Sequence, residues 1–113
     1  MQTKIPMFIT IKDLPDFKII PGYTAKLIHT DQLTVMHVTV EAGYALPEHQ
    51  HPHEQITNVI TGEFEMTIGG VTKVCRAGDS VVIAGNIPHS GMALTDCKII
   101  DVFNPPRADY KVE

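Results

Sequence analysis

Tryptophan is absent from this chain, and cysteine occurs only twice, at Cys75 and Cys97. Two cysteines so placed make neither a disulfide framework nor a close-spaced metal pair, and reduced thiols suit a cytoplasmic protein. No apolar run approaches the ~20 residues that a membrane helix needs. The opening stretch, MQTKIPMFIT, lacks the apolar core and small-residue cleavage site of a secretory signal. A basic cluster is also missing. Lys and Arg number nine against thirteen Asp and Glu, the formal net charge is −4, and the cations are scattered. Nucleic acid and anionic membrane are therefore poor partners. No segment carries a convincing helical period. At 113 residues the chain has room for one domain, 1–113, and no second core.

What the chain has is punctuation. Eight Gly and eight Pro recur between short apolar runs, a pattern that suits strands and tight turns. Strands are expected over Met7 to Ile11, Phe17 to Ile20, Tyr23 to Thr30, Leu33 to Val40, Gln55 to Ile60, Glu63 to Ile68, Val71 to Cys75, Ser80 to Ile83, His89 to Leu94 and Cys97 to Phe103. The cleanest is Glu63 to Ile68, with Phe64, Met66 and Ile68 on one face and Glu63, Glu65 and Thr67 on the other. Gly69-Gly70 then reads as a two-residue hairpin turn. Eight to ten strands at regular spacing predict an all-β barrel or two-sheet jelly roll.

The chain also has imidazoles in unusual density. Three of six histidines lie within five residues, at His49, His51 and His53. On a strand, His49 and His51 point to one face and can reach one ion. Gln55 can bring its amide oxygen to the same place across a turn. His89, after a Gly/Pro turn, can be presented by a neighbouring strand. Three imidazoles and one oxygen, with positions left open, make a catalytic style of metal site. A set of His49, His51 and His53 fits the spacing too. One divalent transition metal ion is expected, and these donors suit Ni, Mn, Fe, Co or Zn. Glu54 alternates away from Gln55 and reads as solvated or salt-bridged. His29 and His37 lie in ordinary strands and read as structural.

A second group sits near the C-terminus. Alternation puts Cys97, Ile99, Asp101 and Phe103 on one strand face and Lys98, Ile100 and Val102 on the other. Both faces are mostly apolar around Asp101. A carboxylate there is costly to bury unless paired, hydrogen-bonded or near a cation. Either Asp101 caps a turn or pairs with Arg107, or it faces the cavity that holds the metal and acts on substrate. Arg107 follows the stiff Pro105-Pro106, which fixes where its guanidinium points. It either grips a substrate carboxylate through two parallel hydrogen bonds or ties the tail down through Asp109.

The stretch GYALPEHQHPHEQITNVITG, residues 43–62, resembles the first cupin motif, Gly-x5-His-x-His-x3-Glu-x6-Gly. Gly43, His49, His51 and Gly62 fall in place, with Gln55 in the Glu position. The second motif, Gly-x5-Pro-x-Gly-x2-His-x3-Asn, is matched over residues 78–93 by Gly78 and His89. Ala84, Asn86 and Ala93 stand for its Pro, Gly and Asn. The resemblance implies a single-domain cupin, a double-stranded β-helix or jelly-roll barrel, with His49, His51, Gln55 and His89 as metal ligands and His53 outside the ligand set. Gln in place of Glu leaves the ion its full charge, which makes a stronger Lewis acid and a better anchor for an anion.

HPHEQI, then GEFE, then LTDC-x-I-x-DVF-x-P-x-R-x-DY is similar to the small cupins of pectin and alginate breakdown, which convert 4,5-unsaturated uronic acid monomers to linear keto products. By that resemblance Asp101, Phe103 and Arg107 are the catalytic group. The substrate is a small anionic sugar acid whose carboxylate meets Arg107 and whose ring packs on Phe103. The family also implies a homodimer, for which Met7 to Ile11 is a candidate pairing strand. Two other functions fit the same residues. One is a metal-holding module that binds a small acid or sugar without turnover. The other is an Fe(II)-dependent dioxygenase.

Overall fold

Short β-prone runs bury an apolar face only by pairing and then packing sheet on sheet. The computed structural model of the protein describes residues 6–112, and among these the chain forms ten strands. They are β1 Phe17–Ile20, β2 Tyr23–His29, β3 Thr34–Val40, β4 Ala45–His49, β5 Glu54–Thr61, β6 Glu63–Ile68, β7 Val71–Arg76, β8 Ser80–Ile83, β9 His89–Ala93 and β10 Cys97–Asn104. One 3-10 turn, Ile11–Asp13, precedes them. No helix among the described residues is long and apolar enough to cross a membrane.

A six-stranded sheet runs β1-β2-β3-β10-β5-β8, and a four-stranded sheet runs β4-β9-β6-β7. Every pairing is antiparallel. The long crossings that set β10 between β3 and β5, and β9 between β4 and β6, give the expected jelly roll. Alternation decides what faces inward. Thr34, Met36, Val38 and Val40 are buried on β3, and Phe64 and Met66 on β6. Both thiols are buried and unpaired. Gly62 turns β5 into β6 with φ +90, and a Cβ there would lie 2.2 Å from the Asp96 carbonyl oxygen. Only glycine meets both demands.

Ile83 shows how closely the two sheets fit. It ends β8 opposite Gln55 and is fully enclosed, at 0% exposure. Ile83→Ala deletes three carbons from a site walled by two sheets. The expected cost is about 2–5 kcal/mol, read as a lower urea midpoint with an unchanged slope.

Two segments depart from the expectation. Met7 to Ile11 is not a strand: Met7 and Phe8 are each 90% exposed, and the chain bends there into the 3-10 turn. A β-prone run without a sheet edge beside it has no ladder to join. Conversely, Ala45–His49 inside the histidine-rich stretch is a strand. Pro47 hides it in the sequence. As the edge of the smaller sheet, β4 accommodates a proline, whose missing N–H costs little there.

Candidate metal centre

The register of β4 breaks between Leu46 and His49. A bulge of this kind shifts the alternation by one residue. Leu46 and His49 consequently both face the interior, and His49 stands directly across from His89, the first residue of β9. Their ring centroids are 4.2 Å apart. His51 lies beyond the end of β4, in the short loop before β5, so strand parity is not what brings it to His49. Its ring is 5.8 Å from His49 and 4.9 Å from His89. One nitrogen from each of the three lies within 4.8 Å of the others.

The backbone sets which nitrogen is free. His49 Nδ1 is 2.9 Å from the Pro47 carbonyl, His51 Nδ1 is 3.1 Å from that of His53, and His89 Nδ1 is 2.8 Å from that of Ile87. A carbonyl only accepts, so each Nδ1 carries the proton and donates it. A neutral ring then presents a bare Nε2. Burial, reinforced by the Arg107 charge, pushes His51 down to about 4. His89 is lowered as well, chiefly by burial. Both rings are therefore neutral at pH 7, the form that binds a metal. His89 Nε2 is buried without any hydrogen-bond partner.

Gln55, on β5, faces this cluster with its oxygen. Oε1 is 3.0 Å from His51 Nε2. Its Nε2 donates to Thr57 Oγ1 at 2.9 Å and to Asp101 Oδ1 at 3.2 Å. The amide is thus oriented, and its oxygen meets a second acceptor. An orphaned imidazole nitrogen, three anchored Nδ1–H groups and a facing amide oxygen make a donor set suited to a divalent transition ion. The loop before His89 closes tightly against this group. A Cβ on Gly85 would lie 2.4 Å from the Pro52 carbonyl oxygen. Asn86 takes φ 63 and donates its N–H to the His51 carbonyl at 2.7 Å. Asn is the common substitute for Gly in that left-handed conformation, so the departure from the second cupin motif leaves the turn intact.

Asp101 sits mid-strand on β10, opposite Thr57 of β5. Its Oδ1 accepts from Thr57 Oγ1 at 2.6 Å and from Gln55. Burial pushes its pKa up to about 6 against the pull of these bonds and of the Arg107 charge. It neither caps a turn nor pairs with Arg107. The space between the sheets, a cavity of about 50 Å³ with an open mouth, is lined by His49, Gln55, His89, Asp101, Phe103 and Arg107 among apolar side chains.

Phe103 is buried and supports both groups. Its ring stands edge-on to His51 at 5.7 Å and lies 4.9 Å from the Arg107 guanidinium carbon. The ring of Tyr110 lies 3.9 Å from the same carbon, so the guanidinium is held between two aromatic rings. Arg107 donates Nε and Nη2 to the two oxygens of Asp109, at 3.1 and 2.9 Å. Its fork therefore ties down the tail, and only its remaining donors are available to a ligand. His29 tethers the tail too, through Thr34 and the Tyr110 carbonyl, while His37 lies outward on the larger sheet between Lys26 and Ile100. His53 contributes its carbonyl to His51, and Glu54 is exposed. Thr57 is the site residue that sequence reading missed. It shares the inward face of β5 with Gln55, and a polar residue at a core position was the available signal.

Comparison with known proteins agrees with this architecture. The cupin domain family matches residues 36–103. The chain is 33% identical to the pectin degradation protein KdgF of Dickeya dadantii over 92 residues, covering 79% of this chain and 84% of that one. The solved structure of KdgF from Halomonas sp. superposes with a TM-score of 0.86 at 30% identity, over 93% of this chain and 98% of the other. An RmlC-like cupin from Shewanella frigidimarina NCIMB 400 gives 0.88 at 28% identity, over 96% and 98%. A jelly roll with paired histidines on β4 and β9, a third in the loop between β4 and β5, and this degree of kinship make the chain a member of the cupin family.

Proposed function

We propose that the protein is a metal-dependent enzyme of pectin breakdown that linearises 4,5-unsaturated uronic acid monomers. One observation carries the reading: the bare imidazole nitrogens and the Gln55 oxygen converge at one wall of a cavity that also holds the carboxylate of Asp101. Kinship with the two KdgF proteins supports the substrate class. His49, His51, Gln55 and His89 would hold a divalent ion, which supplies Lewis-acid polarisation of substrate oxygens.

The chain's own residues do the rest. Arg107 offers its remaining N–H donors and its charge to the substrate carboxylate, and Phe103 holds that guanidinium and the His51 ring in place. Asp101 takes the proton of the anomeric hydroxyl as the bond from the anomeric carbon to the ring oxygen breaks. An aldehyde forms, and the ring oxygen leaves as the enolate. The proton then returns to the neighbouring ring carbon, and the enolate becomes a ketone. One proton moves between two substrate atoms, and no oxidant is needed. The test is NMR of unsaturated galacturonate with the purified protein. Loss of the ring signals faster than in buffer is expected. Saturable binding without product would instead identify a binding module, and oxygen uptake a dioxygenase.

The same geometry explains glutamine where the motif has glutamate. In Gln55→Glu, a carboxylate oxygen replaces the Nε2 that now donates to Asp101 at 3.2 Å. Two like charges would face each other in a buried place. The added charge favours metal binding but disturbs Asp101. Turnover is expected to drop at least about tenfold with the metal retained, measured by metal analysis and rate on the same preparation.

A further inference from the structure

We infer that Thr57 is a positioning residue whose hydroxyl decides which end of the Gln55 amide faces the histidines and where Asp101 points. Its side chain is among the most deeply buried of the described residues, at 2% exposure. With Asp101 ionised, the hydrogen-bond inventory leaves one arrangement. Thr57 has a single O–H donor, and Asp101 Oδ1 at 2.6 Å takes it. The Thr57 oxygen is then an acceptor, and the group 2.9 Å away on Gln55 must be a donor, hence its NH₂. The same NH₂ also reaches Asp101 Oδ1, at 3.2 Å. With the nitrogen held on this side, Oε1 is turned toward His51 Nε2. The amide cannot rotate by half a turn without setting its oxygen against the Asp101 oxygen. One hydroxyl therefore couples the donor set to the acid–base group, through strand pairing that places Thr57 opposite Asp101 and two residues from Gln55.

The inference rests on the reading of Asp101 as the proton carrier, so its test has an arm that needs no substrate. Thr57→Val keeps the volume and removes the hydroxyl, while Thr57→Ser keeps the hydroxyl. Metal-free wild type and both variants are titrated with Ni(II) against a chelator, then assayed for turnover after loading. The valine variant is expected to bind Ni(II) about tenfold more weakly and to lose at least about tenfold in kcat, with KM within about twofold. The serine variant is expected to stay close to wild type on both counts. Residues that support metal ligands change affinity and rate in this way, whereas a space-filling residue does not. If Thr57→Val does not fold, as judged by circular dichroism, Thr57→Ala takes its place. Wild-type Ni(II) affinity in the folded valine or alanine variant overturns the inference, and so does a folded serine variant that fails to recover it. If wild type turns over no unsaturated uronate, the substrate reading fails, and the Ni(II) arm still judges Thr57.

Discussion

Purified from the same medium as wild type, His51→Ala and His89→Ala should hold less than about a tenth of its divalent transition metal, and neither should open unsaturated galacturonate faster than buffer. Each change removes one of three imidazoles whose nitrogens gather within 4.8 Å. His89 is the sharper case, because its Nε2 is buried with no partner in the protein. A buried polar atom without a partner costs free energy that a bound ion would recover. Loss of groups that merely support metal ligands already costs 10–100-fold in affinity or activity, at order of magnitude, and loss of a ligand should exceed that. His53→Ala is the informative control. His53 serves His51 through its main-chain carbonyl at 3.1 Å, which alanine keeps. That variant should therefore retain its metal. Mass spectrometric metal analysis of the three variants decides the matter. Equal metal in wild type and His89→Ala would remove the ion from the function, and loss of metal in His53→Ala would put the third clustered imidazole into the ligand set.

Most of the fold was legible because sheet proteins write their pattern locally. Glu63–Ile68 alternates without interruption, and its strand bounds coincide with the expected ones. The Asp101 face was legible for the same reason: parity alone places Ile99, Asp101 and Phe103 together, and all three line the cavity. What stayed hidden depends on partners distant in sequence. Pro47 spoils the pattern of β4, and only its position at a sheet edge makes it tolerable there. The bulge that turns His49 inward exists in the pairing with β9 and leaves no mark on the sequence. Thr57 is unremarkable until β10 lies across from it. For the Arg107 fork the sequence allows both an opening toward substrate and a closure on Asp109, and it offers no means to choose. Its enclosure between Phe103 and Tyr110 turns it toward Asp109.

Asp101→Asn should cut kcat by about 10²–10⁴-fold while leaving metal content and fold as they are. Asparagine keeps an oxygen that can accept from Thr57 and Gln55, so the bonds at 2.6 and 3.2 Å have a recipient and the Gln55 amide keeps its orientation. What disappears is the ability to take up and return a proton. The fold should not suffer. Burial raises the Asp101 pKa from 3.8 to about 6, so the folded state favours the neutral carboxyl. For a group shifted in that direction, the stabilisation is complete below 3.8 and is lost as the pH rises through about 6. At pH 7 the metal-free wild type therefore carries the cost of an ionised buried carboxylate, and the amide does not. The melting temperature of metal-free Asp101→Asn at pH 7 should equal or exceed that of metal-free wild type. A stable, metal-loaded variant with a collapsed rate would separate the carboxylate's chemistry from the metal's. A rate within a few-fold of wild type would take the proton transfer away from Asp101, and one of the other groups at the cavity would have to carry it.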